Sequence, residues 1–205
     1  MKKVSILFLG VLIIAAMLVS CNGSATVDVG EWDGNVYTNE QLGLTFTMPE
    51  GWESLSIAEL AQQSGVGSDM FDGISEDEIE EGLNLIIMNA TSPTGSMVNI
   101  TIERVAGRVT AANYMEAGIE ALEAELGTPI SHISGDARIG GNNWRQYGYE
   151  LDIGVLMGME PGELGMYMNG RFLVNVDGGF ARLISITQVD GSETIDEIIG
   201  MFSGN

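Results

Sequence analysis

His132, in "PISHISGD", is the chain's one histidine. A Ser-His-Asp triad would have to run through it. No Gly-x-Ser-x-Gly turn accompanies it, and an ordinary strand histidine is the reading that fits it better. One histidine and one cysteine fall short of the nitrogen and sulfur ligands that zinc takes. Lysine occurs only at Lys2 and Lys3. With no Gly-x-x-x-x-Gly-Lys-Ser/Thr loop, P-loop, Schiff-base and Ser-Lys chemistries are excluded from the body of the chain.

Two stretches carry oxygen or sulfur donors at close spacing. Residues 154–170, "GVLMGMEPGELGMYMNG", contain two Met-x-Met pairs, Met157 with Met159 and Met166 with Met168. Thioethers are soft ligands suited to copper(I). Methionine is also a flexible gap filler and a component of adaptable contact surfaces. In a strand the members of such a pair merely share one face. The second stretch, "SDMFDGISEDEIEEG", offers Asp69, Asp72, Glu76 and Asp77 for loose calcium binding. An EF-hand alignment on Gly73 fails: Ser68 and Met70 fall on the first two ligand positions and Ile79 on the bidentate glutamate. A solvated helix start, where acidic residues favour the dipole, explains the run without an ion. The expectation is therefore no catalytic residue and no cofactor, with Met157, Met159, Met166, Met168, Asp69 and Asp72 as the residual metal candidates.

The single cysteine has a different explanation. Met1-Lys2-Lys3 is a short basic start, and Val4 to Val19 is apolar apart from Ser5 and Gly10. That run suits a signal peptide and is short of the roughly 20 residues that span a bilayer. Leu18-Val19-Ser20-Cys21 then resembles the bacterial lipobox, in which the thiol is lipidated and cleavage precedes it. Residues 1–20 are thus expected to be a lipoprotein signal peptide. Cys21 would be the lipidated residue, and residues 21–35, "CNGSATVDVGEWDGN", a flexible tether. A lone cysteine forms no internal disulfide. One acyl chain holds only marginally, at about 0.8 kcal/mol per buried methylene, whereas two or three hold stably. The localisation this implies is the extracytoplasmic face of a bacterial cell membrane.

The whole chain has 8 Lys+Arg against 29 Asp+Glu, a formal net charge of −21. Loss of the two lysines with the signal leaves six arginines and a formal charge of −23. Nucleic-acid binding needs a basic footprint and is excluded, and an anionic lipid surface would repel such a chain. A solvated acidic surface keeps the domain soluble. A basic partner is the functional counterpart of that surface.

Residues 36–205 are enough for one domain with its own core. "VYTNEQLGLTFTMPEGW" reads as a strand, a turn and a second strand with Leu44, Phe46 and Met48 on one face. Ser56-x-x-Glu59 is a capping box opening a short helix, and Ser75-x-x-Glu78 offers another near Ile79. "LNLIIMNA" and "MVNITIERVA" are strands joined at Ser92-Pro93-Thr94-Gly95. Val98, Ile100 and Ile102 alternate with Asn99, Thr101 and Glu103, which predicts an antiparallel sheet covered on one side. Thr110 caps the longest helix, to about Leu126, with Met115, Ile119, Leu122 and Leu126 on its apolar stripe and Gly127 ending it. Its Glu116 and Glu120 are a like-charged pair on the wet side. Strands follow near Ser131–Ile139, Asn143–Asp152, Arg171–Val176 and Phe180–Gln188, the last two joined by Asp177-Gly178-Gly179. A final helix is expected from Asp190 or Ser192, burying Ile195, Ile198, Ile199 and Phe202. The fold class is α+β, an antiparallel sheet of about six strands packed with helices.

The stretch Tyr37-Thr38-Asn39, followed by Gly43-Leu44-Thr45-Phe46-Thr47-Met48-Pro49-Glu50-Gly51-Trp52, resembles the opening of PsbP-like domains. That superfamily includes many small bacterial lipoproteins. The resemblance implies an α/β/α sandwich over residues 36–203 and a habit of binding rather than catalysis. It carries over no catalytic residue. The function expected is a lipid-anchored binding module whose partner is a protein, a peptide or a small ligand. An envelope-associated hydrolase working through His132, or a copper- or calcium-handling protein, is the alternative.

Overall fold

The computed structural model describes residues 27–67, 71, 79, 83–127, 130, 132–160, 162–189 and 193–204. The signal and Cys21, the acidic run with Asp69, Asp72, Glu76 and Asp77, and the helix expected near Ile79 lie outside these residues.

Two antiparallel sheets make up the strands. The smaller contains β1 (Glu31–Asp33), β2 (Val36–Asn39), β3 (Leu44–Thr47) and β11 (Phe202–Gly204), in the order β1-β2-β3-β11. The larger contains β4 (Glu53–Ser54), β5 (Asn84–Thr91), β6 (Met97–Arg104), β7 (His132–Ile139), β8 (Asn142–Asp152), β9 (Tyr167–Asp177) and β10 (Phe180–Val189). Its order is β4-β5-β6-β10-β9-β8-β7. Among the described residues four helices accompany them: α1 (Ile57–Ser64), α2 (Ala111–Leu126), α3 (Ile153–Leu156) and α4 (Ile195–Ile199).

Among the described residues, sheets of seven and four strands replace the expected six. The additional strands are short and lie at the chain ends and at β4, where too few residues alternate for a period of two to stand out.

The local signals explain most boundaries. The Ser56 hydroxyl accepts from the Glu59 amide while the Glu59 carboxylate accepts from the Ser56 amide, closing the capping box on α1. Thr110 caps α2, and Gly127 ends it in the left-handed conformation. Asp177-Gly178-Gly179 joins β9 to β10, with Phe180 opposite Asp177.

The large sheet is covered on both faces, which corrects the one-sided covering read from β6. Thr101 and Glu103 are buried along with Val98, Ile100 and Ile102. On one face α2 lays Tyr114 and Met115 against Tyr147, Val174 and Ala181, and Leu122 against Ile130 and Leu151. On the other, α1, α4 and the small sheet bury Leu85, Ile100, Trp144, Leu173 and Ile184. The layering is helix, sheet, then a mixed layer of helix and small sheet.

Two further expectations are corrected. The domain begins before Val36, so residues 27–35 are not tether. Val27 is buried, β1 pairs with β2, and Trp32 packs with its ring centre 5.4 Å from that of Tyr37, the two tilted by 55°. Asn39 donates to the Asp28 carbonyl at 2.7 Å and the Tyr37 hydroxyl to the Val29 carbonyl at 2.8 Å. Gly30 makes this approach possible: its φ is +73°, and a Cβ there would fall 2.3 Å from the Tyr37 oxygen.

The terminal helix is also shorter than expected. α4 starts at the Thr194-x-x-Glu197 capping box and ends within five residues. Ile195, Ile198 and Ile199 pack on the core as expected, but Phe202 belongs to β11, opposite Phe46. A fourth strand satisfies the backbone of β3, which one more helical turn would leave open.

Candidate ligand pocket

On the face opposite α2, strands β8, β9 and β10 each change character along their length. Trp144 of β8 is followed on the same face by Gln146, Gly148 and Glu150. On β9, Leu173 is preceded on that face by Arg171 and Asn169, and on β10 Ile184 and Ile186 are followed by Gln188. The apolar ends lie under the small sheet, α1 and α4. The polar ends lie beyond them and form an open pocket of about 360 Å³, within the roughly 300–1,000 Å³ of small-ligand sites.

Register fixes its floor. Ile133, Gly148, Arg171 and Ile186 form one cross-strand row, and Glu150, Asn169 and Gln188 the next. Ile133, two-thirds exposed on the edge strand β7, is one wall and Ile195 of α4 the other. Asn169 donates to the Gln188 side-chain oxygen at 3.0 Å.

Arg171 is the distinctive group. One guanidinium nitrogen donates to the Gln146 side-chain oxygen at 3.0 Å. Its Nε is buried without a hydrogen-bond partner. Among the described residues it has no carboxylate within ion-pair distance, whereas Arg145 pairs with Asp136 at 3.0 Å and Arg182 with Asp177 at 3.8 Å. Gly148 lets the guanidinium lie across the sheet, because a Cβ there would stand 3.1 Å from the Arg171 Nε and 3.0 Å from Ile133.

The residues singled out by type do not converge. His132 lies at the rim of this pocket, its Nδ1 3.3 Å from the Ile130 carbonyl oxygen. Among the described residues no serine or carboxylate bonds it, so no triad assembles there. No group of three or more His, Cys, Asp or Glu suited to a metal occurs among the described residues.

The methionines divide. Met157, Met159 and Met166 are exposed on the segment between β8 and β9, while Met168 packs against Leu122, Ile130 and Leu151. The segment is closed on itself. Asp152 accepts from the Gly154 amide at 2.8 Å, and Ile153 donates to the Met166 carbonyl at 2.9 Å. The closed loop thus turns three of the four thioethers outward, and only Met168 packs on the core.

Between α2 and the sheet a smaller apolar crevice of about 30 Å³ runs among Met115, Ile119, Tyr147 and Phe172, with room for about one water. Nearby, Glu103 and Tyr114 form a buried pair. Burial raises the Glu103 carboxyl above its ordinary range, and the Tyr114 hydrogen bond opposes that shift only in part.

The sequence reading missed Arg171, Glu150, Asn169 and Gln188. Their signal was the apolar-to-polar change on one face of three strands. It emerges only when the strands are in register.

These features define an α+β antiparallel sandwich with a polar pocket on an incompletely covered sheet face. No protein-family model matches the chain, and no curated protein sequence does. Among solved structures, the chain is similar to the cyanobacterial PsbP protein (CyanoP) from Synechocystis sp. PCC 6803. The identity is 10%, the TM-score 0.42, and the match covers 92% of this chain and 99% of that one. The chain is also similar to a protein from Bacteroides thetaiotaomicron VPI-5482, with 10% identity, a TM-score of 0.38 and coverage of 80% of this chain and 45% of that one.

Proposed function

We infer that this protein is a lipid-anchored, extracytoplasmic binding module without catalytic activity, and that the open pocket at Arg171 is its ligand seat. The observation that carries the reading is the Arg171 guanidinium, with a buried, unpartnered Nε and no carboxylate partner among the described residues. A buried polar nitrogen without a partner costs about 1–3 kcal/mol. In a chain with 29 carboxylates, none among the described residues pairs with Arg171, which leaves the guanidinium open to an anionic group from outside. The lipid anchor at Cys21 is supported by the residues before it and by the polar stretch after it. The acidic body would hold the domain away from anionic headgroups.

The test has two arms. Screening a library of small carboxylates, phosphates and peptides by thermal shift should find ligands that stabilise the wild type and not Arg171→Gln. A library that shifts both proteins equally would refute the seat. In the second arm, the wild type should enter the detergent phase and carry a lipid mass on the peptide beginning at Cys21, and Cys21→Ser should do neither. Identical fractionation of the two, with no lipid mass, would refute the anchor.

A further inference from the structure

We propose that the ligand of this pocket is a short zwitterionic peptide, its carboxylate held by Arg171 and its ammonium by Glu150. This rests on the reading of the pocket as a ligand seat.

The argument begins with two opposite charges on one face that do not pair. Arg171 stands opposite Gly148 in the β8–β9 register, with Gln146 two residues to one side on β8 and Glu150 two residues to the other. Both neighbours are diagonal to Arg171 and within reach of a long side chain. The arginine bonds the neutral amide of Gln146 at 3.0 Å, and no ion pair joins it to Glu150. The cation is turned toward one end of the pocket and the carboxylate stands at the other.

The separation selects the ligand's length. The guanidinium reaches from above Gly148 toward Gln146, and Glu150 lies two residues beyond Gly148 on the other side, so the charges stand two to four residues apart along the strand, roughly 7–13 Å. An extended chain covers about 3.3–3.6 Å per residue. The charged ends of a free amino acid stand about one residue apart, short of most of this range, and a di- or tripeptide spans it. Gly148 leaves the floor flat for an extended backbone. Between the charges, the Asn169–Gln188 pair offers side-chain amides to peptide groups, and Ile133 and Ile195 offer apolar walls to small side chains. A purely anionic ligand would meet Glu150 at the far end and be repelled.

The full chain in detergent can be titrated calorimetrically with trialanine, N-acetyl-trialanine, trialanine amide, free alanine and propionate. Trialanine should bind saturably. Acetylation and amidation should each weaken it about tenfold or more, as expected on losing a charge-assisted contact. Glu150→Gln should bind trialanine and its acetylated form alike, and Arg171→Gln should bind trialanine and its amide alike. The blocked peptides report on wild-type protein, so the reading survives a variant that folds poorly. Equal affinity for free and blocked peptides overturns the proposal. Propionate binding through Arg171 with no preference for trialanine overturns the peptide while leaving the seat in place. No binding of any probe overturns the peptide; if the library then also stabilises wild type and Arg171→Gln alike, the seat falls with it.

Discussion

The Tyr114 hydroxyl of α2 donates a hydrogen bond to Oε2 of Glu103 on β6, and both side chains are buried between helix and sheet. Burial raises the Glu103 carboxyl above its ordinary value, so the folded state holds that proton more tightly than the unfolded chain. Its contribution to stability is complete below the unfolded value of about 4.3 and is lost as pH rises through the higher folded value. Urea midpoints of wild type and Glu103→Gln should therefore diverge as pH increases from 4 toward neutrality, the wild type losing ground. Taking the difference removes the repulsion among the other carboxylates. A difference that does not change with pH would rule out a buried charge at Glu103.

Tyr114→Phe removes the donor and leaves the carboxylate with one fewer partner. The expected cost at neutral pH is about 1–3 kcal/mol, and it should shrink in acid, where Glu103 is neutral. An equal cost at both pH values would show that the hydroxyl contributes only packing.

Three of the five tyrosines, Tyr37, Tyr114 and Tyr149, have hydroxyls raised by burial, Tyr149 to about 12. Each raised value means stability that is present below about pH 10 and lost above it, because the unfolded chain ionises first. Their tyrosinate absorbance should appear together with the loss of circular dichroism. Ionisation of all three ahead of unfolding would contradict their burial.

The N-terminal strand offers a stability test. A chain beginning at Val36 loses Trp32, whose ring packs 5.4 Å from Tyr37 and 6.5 Å from Phe46. Its melting temperature should fall by about 10 °C relative to a chain beginning at Val27, the scale set by deleting a large aromatic from a core. Gly30→Ala should cost about 1–3 kcal/mol through its positive φ and the Tyr37 ring. If both changes are neutral, residues 27–35 are a tether after all.

Which parts of this fold were legible depended on the range of the interactions. The caps at Ser56 and Thr110 and the hairpin at Asp177-Gly178-Gly179 involve residues three or four apart, and the sequence carries them directly. Strand β11 was read as helix because its partner, Phe46 on β3, lies more than 150 residues away. Ile195, Ile198, Ile199 and Phe202 do all pack inward, but Phe202 does so from a strand. Arg171 escaped notice for the same reason, since one arginine in "MNGRFLV" looks ordinary until Gly148, Glu150 and Gln188 are in register beside it.

The methionine segment gives the last prediction. Met157 is 67% exposed, Met166 43% and Met159 37%, whereas Met88 and Met115 are buried. Dilute peroxide should oxidise the first three well before Met88 and Met115, read by mass on separated peptides. Leucine at Met157, Met159 or Met166 should change stability by less than about 0.5 kcal/mol. Met168→Ala should cost about 1–2 kcal/mol, because its side chain packs with Leu122, Ile130 and Leu151. The same variants separate two uses of the exposed thioethers. If they form a soft-metal site, copper(I) titrated against a competing chelator should bind saturably and be lost in the triple leucine variant. If they form a contact surface, the leucine variant should bind no copper(I), like the wild type, and retain partner capture, since leucine keeps the apolar area and loses only the sulfur. Uniform oxidation of exposed and buried methionines alike would contradict the outward placement on which both uses depend.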